Sequence, residues 1–397
     1  TVVTAGTFTI PLMKKTGFDK DTAGGIVATA ASGGQIMPPV MGAVAFLMAD
    51  ATSIPYGTIC LAALIPAVLY YLTTSTGIIS YAHRHNIPVI ERGTDDPTAM
   101  QILKKGWYFF TPIVLLIALM VMGISTARAA LYTIILCVAI GLITDYKRFT
   151  LKNIIALCRD AANSMMSVSI ACMVVGIVVG AINITGLGLK ISTIITMVAG
   201  GNILVMGLLT AVVCIILGMG LPTSACYIIL SVLVAPAMVE LGVSIASAHL
   251  FVLYFGVIAA ITPPVALAVF AAIGISGGDM WKTGLQAVKF AIAGFTIPFV
   301  LLYNNNLVMY HAATNTFGFD GSVVLAFVLT ALGCCLLSFV VFGWAFRNLR
   351  IPERIVLFVS CVLLMCNHIL VAGMIGFALA IVLFVYFKMT SNKSGGN

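Results

Sequence analysis

Charged side chains are scarce in this chain: Asp, Glu, Lys and Arg make up 8% of its 397 residues, against about 25% in soluble domains. Hydrophobic residues make up 61%, and apolar runs of about 20 residues recur along the whole length. A soluble protein has too little interior to bury so much apolar surface. The composition therefore predicts an all-α polytopic membrane protein, with lipid as the solvent for its spans.

The sequence also lacks the side chains that most enzymes and nucleic-acid-binding proteins need. No carboxylate pair falls in the middle of a predicted span, and the five histidines mostly lie near span ends. The ten cysteines are scattered in apolar spans without metal-ligand spacing, so we interpret them as small buried hydrophobic residues. The excess of 20 basic over 12 acidic residues is spread singly or in pairs at span ends. These features argue against an enzyme, a proton relay, a metal cofactor and a nucleic-acid partner.

An internal repeat is the most informative feature. When the sequence is shifted by 225 positions, residues 11–56 fall on 236–281 without gaps. Pro38-Pro39-Val40 then meets Pro263-Pro264-Val265, and the matches also include Pro11 with Pro236 and Gly17 with Gly242. Prolines and glycines each impose a local backbone geometry, so these matches weigh more than matched apolar residues. Gly/Pro-interrupted helices at corresponding places in two repeats are typical of secondary transporters.

Length predicts the shape of each repeat. A straight helix over residues 203–240 would be about 55 Å long, well beyond a bilayer core of about 30 Å. We therefore expect a re-entrant hairpin with its tip at the glycine-rich stretch 218–224. The next span, 247–276, is broken near 260–264, and the matching span 22–50 is broken near 32–39. We expect the other spans at 56–83, 106–125, 129–144, about 161–186, 281–303 and 322–346. Residues 1–13 would be the return arm of a first hairpin, whose tip we expect before residue 1.

The basic residues predict how the repeats are oriented. If the Lys14-Lys15 loop is cytoplasmic, the segments 84–105 and 147–159 and the Arg-rich end after 346 are cytoplasmic too. The loop 239–247 then lies outside, which makes the repeat inverted. We expect four parts: 1–83 as the C-terminal part of the first repeat, 84–200 as connector and scaffold, 201–303 as the second repeat, and 304–397 as extra helices. Residues 355–387 fit either one span or two short ones.

The chemistry is expected at the two breaks. Proline removes N–H donors and frees carbonyl oxygens one turn back, which suit Na⁺ as a hard cation. The exposed N–H groups of the following half-helix suit a substrate carboxylate. A single proline usually marks only a kink, but two breaks in matching register favour a binding site. Five residues add side-chain oxygens at the same depth: Ser32, Gln35, Thr223, Ser224 and Thr262.

Three segments resemble a known family: GGQIMPPVMGAVAFLMAD (33–50), GMGLPTSACY (218–227) and ITPPVALAVFAAIGISGGD (261–279). They are similar to the large permease of tripartite ATP-independent periplasmic (TRAP) transporters, best to the fused permeases that work with TAXI-type binding proteins. The resemblance covers residues 1–303. It implies a bacterial inner-membrane permease that is driven by the Na⁺ gradient and uses an elevator mechanism to import mostly carboxylates.

The resemblance also implies site residues and partners. In that family the ions lie at hairpin tips and helix breaks, which correspond here to Gly33, Gly34, Gln35, Pro38, Gly220, Thr223, Ser224, Thr262 and Pro263. We expect the substrate to contact Ser32, Gln35, Thr223 and Thr262. Na⁺ is the expected coupling ion and no other cofactor is expected. The expected partners are a periplasmic TAXI-type solute-binding protein, membrane lipid, and a small permease subunit or a missing N-terminal half that completes the first ion site.

Two alternatives remain open at this point. One is a dicarboxylate or anion carrier of related fold that works without a binding protein. The other is a non-transporting membrane scaffold fragment. Transport in vesicles without a periplasmic protein would favour the first. Na⁺-dependent uptake that stays unchanged in Thr223→Ala and Thr262→Ala variants of the full-length protein would favour the second.

Overall fold

The computed structural model describes residues 1–39, 41–88, 98–145, 150–311 and 316–394. Regular structure in this part of the chain is almost entirely helical, with two pairs of two-residue antiparallel strands. Five of the described helices are long and apolar enough to cross a membrane, or six spans if one bent helix pair counts as a span. The prediction of an all-α, multi-pass membrane protein is confirmed.

The first repeat contains a helical arm, a broken helix and a long return helix. Its elements are α1 (Val2–Thr16), α2 (Lys20–Gly33), α3 (Ala43–Thr52) and α4 (Tyr56–Arg84). The break between α2 and α3 lies where the Pro38-Pro39 pair predicted it. The return helix matches the predicted span 56–83 to within one residue.

The second repeat has the same order of elements. It comprises α10 (Ile203–Gly218), α11 (Thr223–Leu233), α12 (Ala235–Glu240), α13 (Ile245–Ala259), α14 (Leu267–Ser276), α15 (Met280–Phe290) and α16 (Ile292–Tyr303). Helices α10 and α11 meet at the predicted tip, and α13 and α14 flank the second break. The exit helix predicted as one piece over 281–303 is bent by 42° between α15 and α16.

Between the repeats lie the helices predicted as connector and scaffold. They are α5 (Ala99–Gly106), a 3-10 turn (Trp107–Phe110), α6 (Thr111–Val121), α7 (Thr126–Asp145), α8 (Leu151–Thr185) and α9 (Leu187–Ala199). Helix α8 begins at residue 151, well before the predicted 161. The prediction started too late because the first turns of α8 carry charged residues, which a search for apolar spans excludes. Helix α9 was not predicted. The segments 89–97 and 146–149, which carry some of the charges used for orientation, lie outside the described residues.

The C-terminal part forms two helices after residue 350, not one. Its elements are a 3-10 turn (Asn305–Val308), β1 (Tyr310–His311), β2 (Thr316–Phe317), α17 (Gly321–Phe342), β3 (Trp344–Ala345), β4 (Arg347–Asn348), α18 (Ile351–Met365) and α19 (Leu370–Ser394). Helix α17 stops before the predicted residue 346, because Gly343 takes a left-handed φ of 66° and ends it. The guanidinium of Arg84 donates to the carbonyl of Phe342, and Ser338 Oγ donates to Thr73 O at 2.8 Å, which fasten α17 to α4.

The backbone hydrogen bonds confirm the register of the repeat. In the first repeat, Gly17 N donates to Lys14 O and Phe18 N to Met13 O. At the corresponding positions of the second repeat, Gly242 N donates to Val239 O and Val243 N to Met238 O. Both glycines have positive φ, 106° and 90°. The same Schellman turn thus ends the arm in each repeat.

The caps of the broken helices match in the same register. Asp19 accepts from the backbone N of Thr22 at 2.9 Å, and Ser244 accepts from that of Ser247 at 3.2 Å. Each residue is the N-cap of the helix that leads into a break, α2 and α13 respectively. The local geometry therefore repeats although the capping residues themselves differ.

The two repeats pack reciprocally. Helix α1 of the first repeat contacts α14 of the second, and α11 of the second contacts α3 of the first. Helix α2 also packs against α14 and α15. The core centres on α13, in which every residue from Ala246 to Ala259 is buried. A helix that is buried on all sides is expected to be mostly apolar, and α13 carries polar side-chain groups only at Ser247, His249 and Tyr254.

Replacing Asp19 tests the matched caps. Asp19→Ala removes the cap of α2 and the bond from Tyr81 Oη at 2.8 Å, so we expect a loss of about 1 kcal/mol of stability. Asp19→Ser, which copies Ser244, keeps the cap and loses less. Thermal unfolding of the purified protein measures both, and equal losses would show that capping is not the cause.

The same residue predicts a pH dependence. Burial raises the pKa of the Asp19 carboxyl, but hydrogen bonds from Thr22, Tyr81 and Asp21 outweigh it and hold the pKa below its ordinary value. The stabilisation is present above the ordinary pKa and is lost as the pH falls through the lowered one. The difference between the parent and Asp19→Ala should therefore shrink in that acidic range.

Candidate functional site

The first break tightens α2 before the chain turns. The backbone N–H groups of Gly34, Gln35 and Ile36 each bond back three residues, at 3.2, 3.1 and 3.0 Å. The Pro38-Pro39 peptide that follows is cis. Helix α3 then starts after Gly42, whose φ of 70° favours glycine. No described side chain caps α3, so its first N–H groups are available to an anion.

The second break repeats this geometry. Ala260 N bonds to Val257 O at 3.2 Å and Ile261 N to Ile258 O at 2.9 Å. These bonds are the counterparts, in the repeat register, of those made by Gln35 and Ile36. The Pro263-Pro264 peptide is also cis. One further bond closes this break, because Ala268 N donates across it to Ala260 O at 2.9 Å.

The hairpin tip lies against the second break. A methyl group on Gly218 would come within 2.6 Å of Ala259 Cβ, and one on Gly220 would lie 3.9 Å from Val265 Cγ1. Gly220 takes a φ of 84°, and Pro222 leads into α11 at Thr223. The structure thus brings the predicted residues 220, 223 and 262 to one region, where the end of α10, the start of α11 and the end of α13 meet.

The side chain of Thr262 is arranged to accept. Its Oγ1 donates to Ile258 O at 2.8 Å, so the hydroxyl proton is committed to the backbone. A hydroxyl has two lone pairs besides its proton, and these remain for a cation. Ser224 is buried at the start of α11, and no described side chain caps that helix. An oxygen-rich helix break beside an uncapped helix start can hold a hard cation and an anion side by side.

The predicted residues of the first repeat separate into three places. Ser32, Gly34 and Gln35 line a cavity of about 430 Å³ together with Gly42 and with Ala268 of the second repeat. Pro38 instead lines an apolar cavity of about 440 Å³ between α4 and α6. Gly33 is buried, and a methyl group there would lie 2.5 Å from Tyr70 Cε1, so its position is set by packing.

Pro263 also has a packing role. A methyl group on Gly284 of α15 would lie 2.6 Å from Pro263 Cγ, so the proline ring fills the space that this glycine leaves. The close approach seats the second break on the exit helix. Gly33 therefore allows the Tyr70 ring to approach the backbone beside the first break, and Gly284 allows the Pro263 ring to do so beside the second.

Three tyrosines of α4 hold the first break, and the sequence interpretation missed them. Tyr70 Oη donates to Thr29 O at 3.0 Å, and Tyr71 Oη donates to Ala30 O at 2.9 Å. Tyr56 Oη donates to Pro39 O at 2.7 Å on the far side of the break. We call Tyr56, Tyr70 and Tyr71 the tyrosine brace.

The second repeat has no such brace. In the repeat register, the positions that correspond to the three tyrosines hold Trp281, Phe295 and Thr296. Thr296 Oγ1 bonds within its own helix to Ile292 O at 3.2 Å. A signal for the brace was present in the sequence, because a tyrosine in the middle of an apolar span needs a partner for its hydroxyl.

Comparison with known proteins shows the family of this chain. The sequence model of the family "Tripartite ATP-independent periplasmic transporter, DctM component" matches residues 1–316. The chain belongs to this family. It is 23% identical over 300 residues to the sialic acid TRAP transporter permease protein SiaT of Haemophilus influenzae (strain 86-028NP). That alignment covers 74% of this chain and 46% of the relative, so the chain spans about half the relative's length.

The match confirms the resemblance to TRAP large permeases and the assignment as a multi-pass transporter permease. It takes in both repeats and ends close to β2, before α17 begins. The helices α17, α18 and α19 therefore lie beyond the matched residues. They are joined to the TRAP permease part through α4 and α16.

Gly33→Ala tests the close approach of Tyr70. The added methyl group overlaps the ring, so we expect about 1–3 kcal/mol of destabilisation. Gly274→Ala is the matched control, because a methyl group there meets no described atom within 4 Å. A thermal unfolding midpoint for Gly33→Ala equal to that of the control would contradict the packing role.

Removing one hydroxyl of the tyrosine brace should loosen the first break alone. Tyr71→Phe leaves Ala30 O without its donor, at a cost of about 1–3 kcal/mol. We expect roughly tenfold faster amide exchange around residues 34–37 by hydrogen–deuterium exchange, with no change around 260–262. Tyr132→Phe on the exposed α7 is the control. Faster exchange at both breaks, or at neither, would refute the local role of the brace.

Proposed function

We propose that this TRAP permease chain imports a small carboxylate-type solute, coupled to Na⁺ entry and delivered by a periplasmic solute-binding protein. It would act in the bacterial inner membrane. The observation that carries the proposal is the second break with the hairpin tip on it. Three features meet in this region: the carbonyl oxygens of residues 261–263, to which no described backbone N–H donates, the lone pairs of Thr262, and the starts of α11 and α14, which no described side chain caps.

The ion is proposed from the kind of ligand on offer. This region presents backbone carbonyl and hydroxyl oxygens, which are hard ligands, and α13 contributes no carboxylate. A monovalent hard cation needs no balancing carboxylate, whereas a divalent one usually has them. The residues proposed for Na⁺ here are Gly220, Thr223, Ser224 and Thr262, with the backbone of Pro263.

The solute class is proposed from the helix starts. Helices α3, α11 and α14 begin at a break or at the tip, and none of them has a described side-chain cap. Their N–H groups and positive dipole ends favour a carboxylate. Sialic acid, named for the relative from Haemophilus influenzae, is itself a carboxylate. We carry over only that class, with Ser32 and Gln35 as proposed contacts from the first repeat.

The motion is proposed from packing. The broken helices and the hairpin pack against one another, and α13 is buried along almost its full length. By contrast, the most apolar stretch of Met100–Met120 contains no buried residue, and in that of Ala127–Thr144 only 6% of the residues are buried. An elevator fits this division, with the repeats moving as one body against α6 and α7. We propose a TAXI-type binding protein and a small permease subunit as the partners.

Direct Na⁺ binding tests the site. Thr223→Ala and Thr262→Ala in the full-length protein should each weaken ²²Na⁺ binding by about tenfold, since each removes one oxygen ligand. Thr133→Val on α7 is the control, because its hydroxyl also bonds within its own helix, to Ala129 O at 2.8 Å. Unchanged binding in both variants would refute the ion site and favour a scaffold role.

The delivery step is tested separately. Full-length protein in liposomes should take up radiolabelled sialic acid, or another carboxylate that its binding protein carries, only when Na⁺ and the binding protein are both on the outside. Uptake without the binding protein would overturn the tripartite assignment and support a carrier of related fold. Gene neighbourhood can identify the binding protein to use.

A further inference from the structure

A cavity with several polar groups in a mostly apolar lining lies at the base of the second hairpin, away from both breaks. Its volume is about 720 Å³, within the range of about 300–1,000 Å³ that is usual for small-molecule sites. Five segments meet there: the end of α3, the α8–α9 junction, α11, α12 and the start of α13. We call this the base cavity. Glu240 at its edge is exposed, so the cavity opens to the protein surface.

The base cavity contains a buried hydroxyl without a partner. Ser192 is 2% exposed, and its Oγ has no hydrogen-bond partner in the described chain. An unpaired buried hydroxyl costs about 1–3 kcal/mol, so a ligand that pairs with it gains that energy. The residue lines the cavity, but its Oγ is closed off from the cavity space, so a ligand pairs with it only if the side chain turns about χ1 toward the cavity.

A histidine presents a second group to the same space. His249 is 8% exposed and lines the cavity. Its Nδ1 is 2.7 Å from Tyr227 Oη, which fixes the ring and leaves Nε2 as the nitrogen available to a ligand. Ser231 also lines the cavity, and its Oγ donates to Ile228 O at 2.9 Å, so that oxygen can only accept from a ligand.

The charge of the cavity selects the ligand. Glu240 is the one charged residue among the described residues that line it. Glu240 is exposed at the edge of the cavity, and no lysine or arginine is among the described lining residues. Its carboxylate attracts an ammonium group and repels an anion. The lining therefore suits a molecule with a positive charge and several hydroxyl groups, which is the opposite of what the helix starts at the breaks favour.

The repeat shows that these polar groups are not required by the fold. In the repeat register, the positions of the first repeat that correspond to Ser231, Glu240 and His249 hold a glycine, a lysine and a glycine: Gly6, Lys15 and Gly24. The first repeat builds the same arm, turn and broken helix without any of the three polar groups. The polar groups of the base cavity are therefore specific to the second repeat.

We propose that the base cavity binds a small hydroxylated amine, with the ammonium group at Glu240 and hydroxyl groups at Ser192, Ser231 and His249. The proposal does not depend on Na⁺ coupling or on a binding protein. Bound there, the molecule bridges α9 to α11 and α13, so it joins the connector helices to the second repeat.

Three hexose probes test the charge selection. Saturation-transfer NMR on the full-length protein in nanodiscs, without a Na⁺ gradient or binding protein, would compare glucosamine, glucose and glucuronate. They share a ring of hydroxyl groups and differ in charge. We expect affinity to fall in that order, with glucosamine at least tenfold tighter than glucuronate. No saturable glucosamine binding, or equal binding of glucuronate, would overturn the proposal.

Variants locate the site. Ser192→Ala should weaken glucosamine binding about tenfold, and Glu240→Gln should reduce it to the level of glucose. Thr210→Val is the matched control, because Thr210 Oγ1 is also buried and unpaired in the described chain but belongs to α10, outside the cavity lining. Thr223→Ala at the hairpin tip should leave glucosamine binding unchanged, which separates this site from the proposed ion site. An effect of Thr210→Val or Thr223→Ala as large as that of Ser192→Ala would refute the location.

Discussion

The requirement that every backbone polar group inside a membrane finds a partner governs this structure. Lipid offers no hydrogen bonds, so a helix that stops in mid-membrane must place its freed carbonyl and N–H groups against protein, water or a ligand. The chain stops a helix at both Pro-Pro pairs. Much of the remaining fold, including the reciprocal packing of the repeats, surrounds those two interruptions with protein.

The two interruptions are satisfied in different ways. Phenolic hydroxyls of Tyr70 and Tyr71 occupy carbonyl oxygens just before the first break, and Tyr56 occupies one after it. The second break has a hairpin tip against it and Thr262 within it. The backbone is thus nearly the same in both repeats, while the groups that meet it differ. We infer that the first break is the more rigid. The second break offers an ion the lone pairs of Thr262 and the carbonyl oxygens of residues 261–263, to which no described backbone N–H donates.

Much of the fold could be predicted from sequence because its strongest signals are backbone-specific. Proline and glycine fix local geometry whatever surrounds them, so the matched pairs located both breaks, and Gly17 and Gly242 located the turns. Apolar length located most spans. It failed for α8, whose first turns carry Lys152 and Arg159, and it could not divide 355–387, where helix ends depend on packing.

The site was less predictable, since it depends on which helix approaches which break. The family resemblance grouped Gly33 and Pro38 with the ion ligands, whereas the structure shows Gly33 against Tyr70 and Pro38 beside an apolar cavity. Their assignment as ion ligands remains a prediction. The tyrosine brace and the base cavity both join residues far apart in sequence, and periodicity along one helix carries no information about such contacts.

The central claim is that the second break and the hairpin tip together enclose a cation. Cryo-electron microscopy of the full-length protein in nanodiscs, in Na⁺ and in choline, tests it most directly. The account predicts density between the stretch 218–224 and the stretch 260–264 that is present in Na⁺ and absent in choline. If no density appears between these two stretches in either condition, and Na⁺-dependent density appears elsewhere, the claim is contradicted.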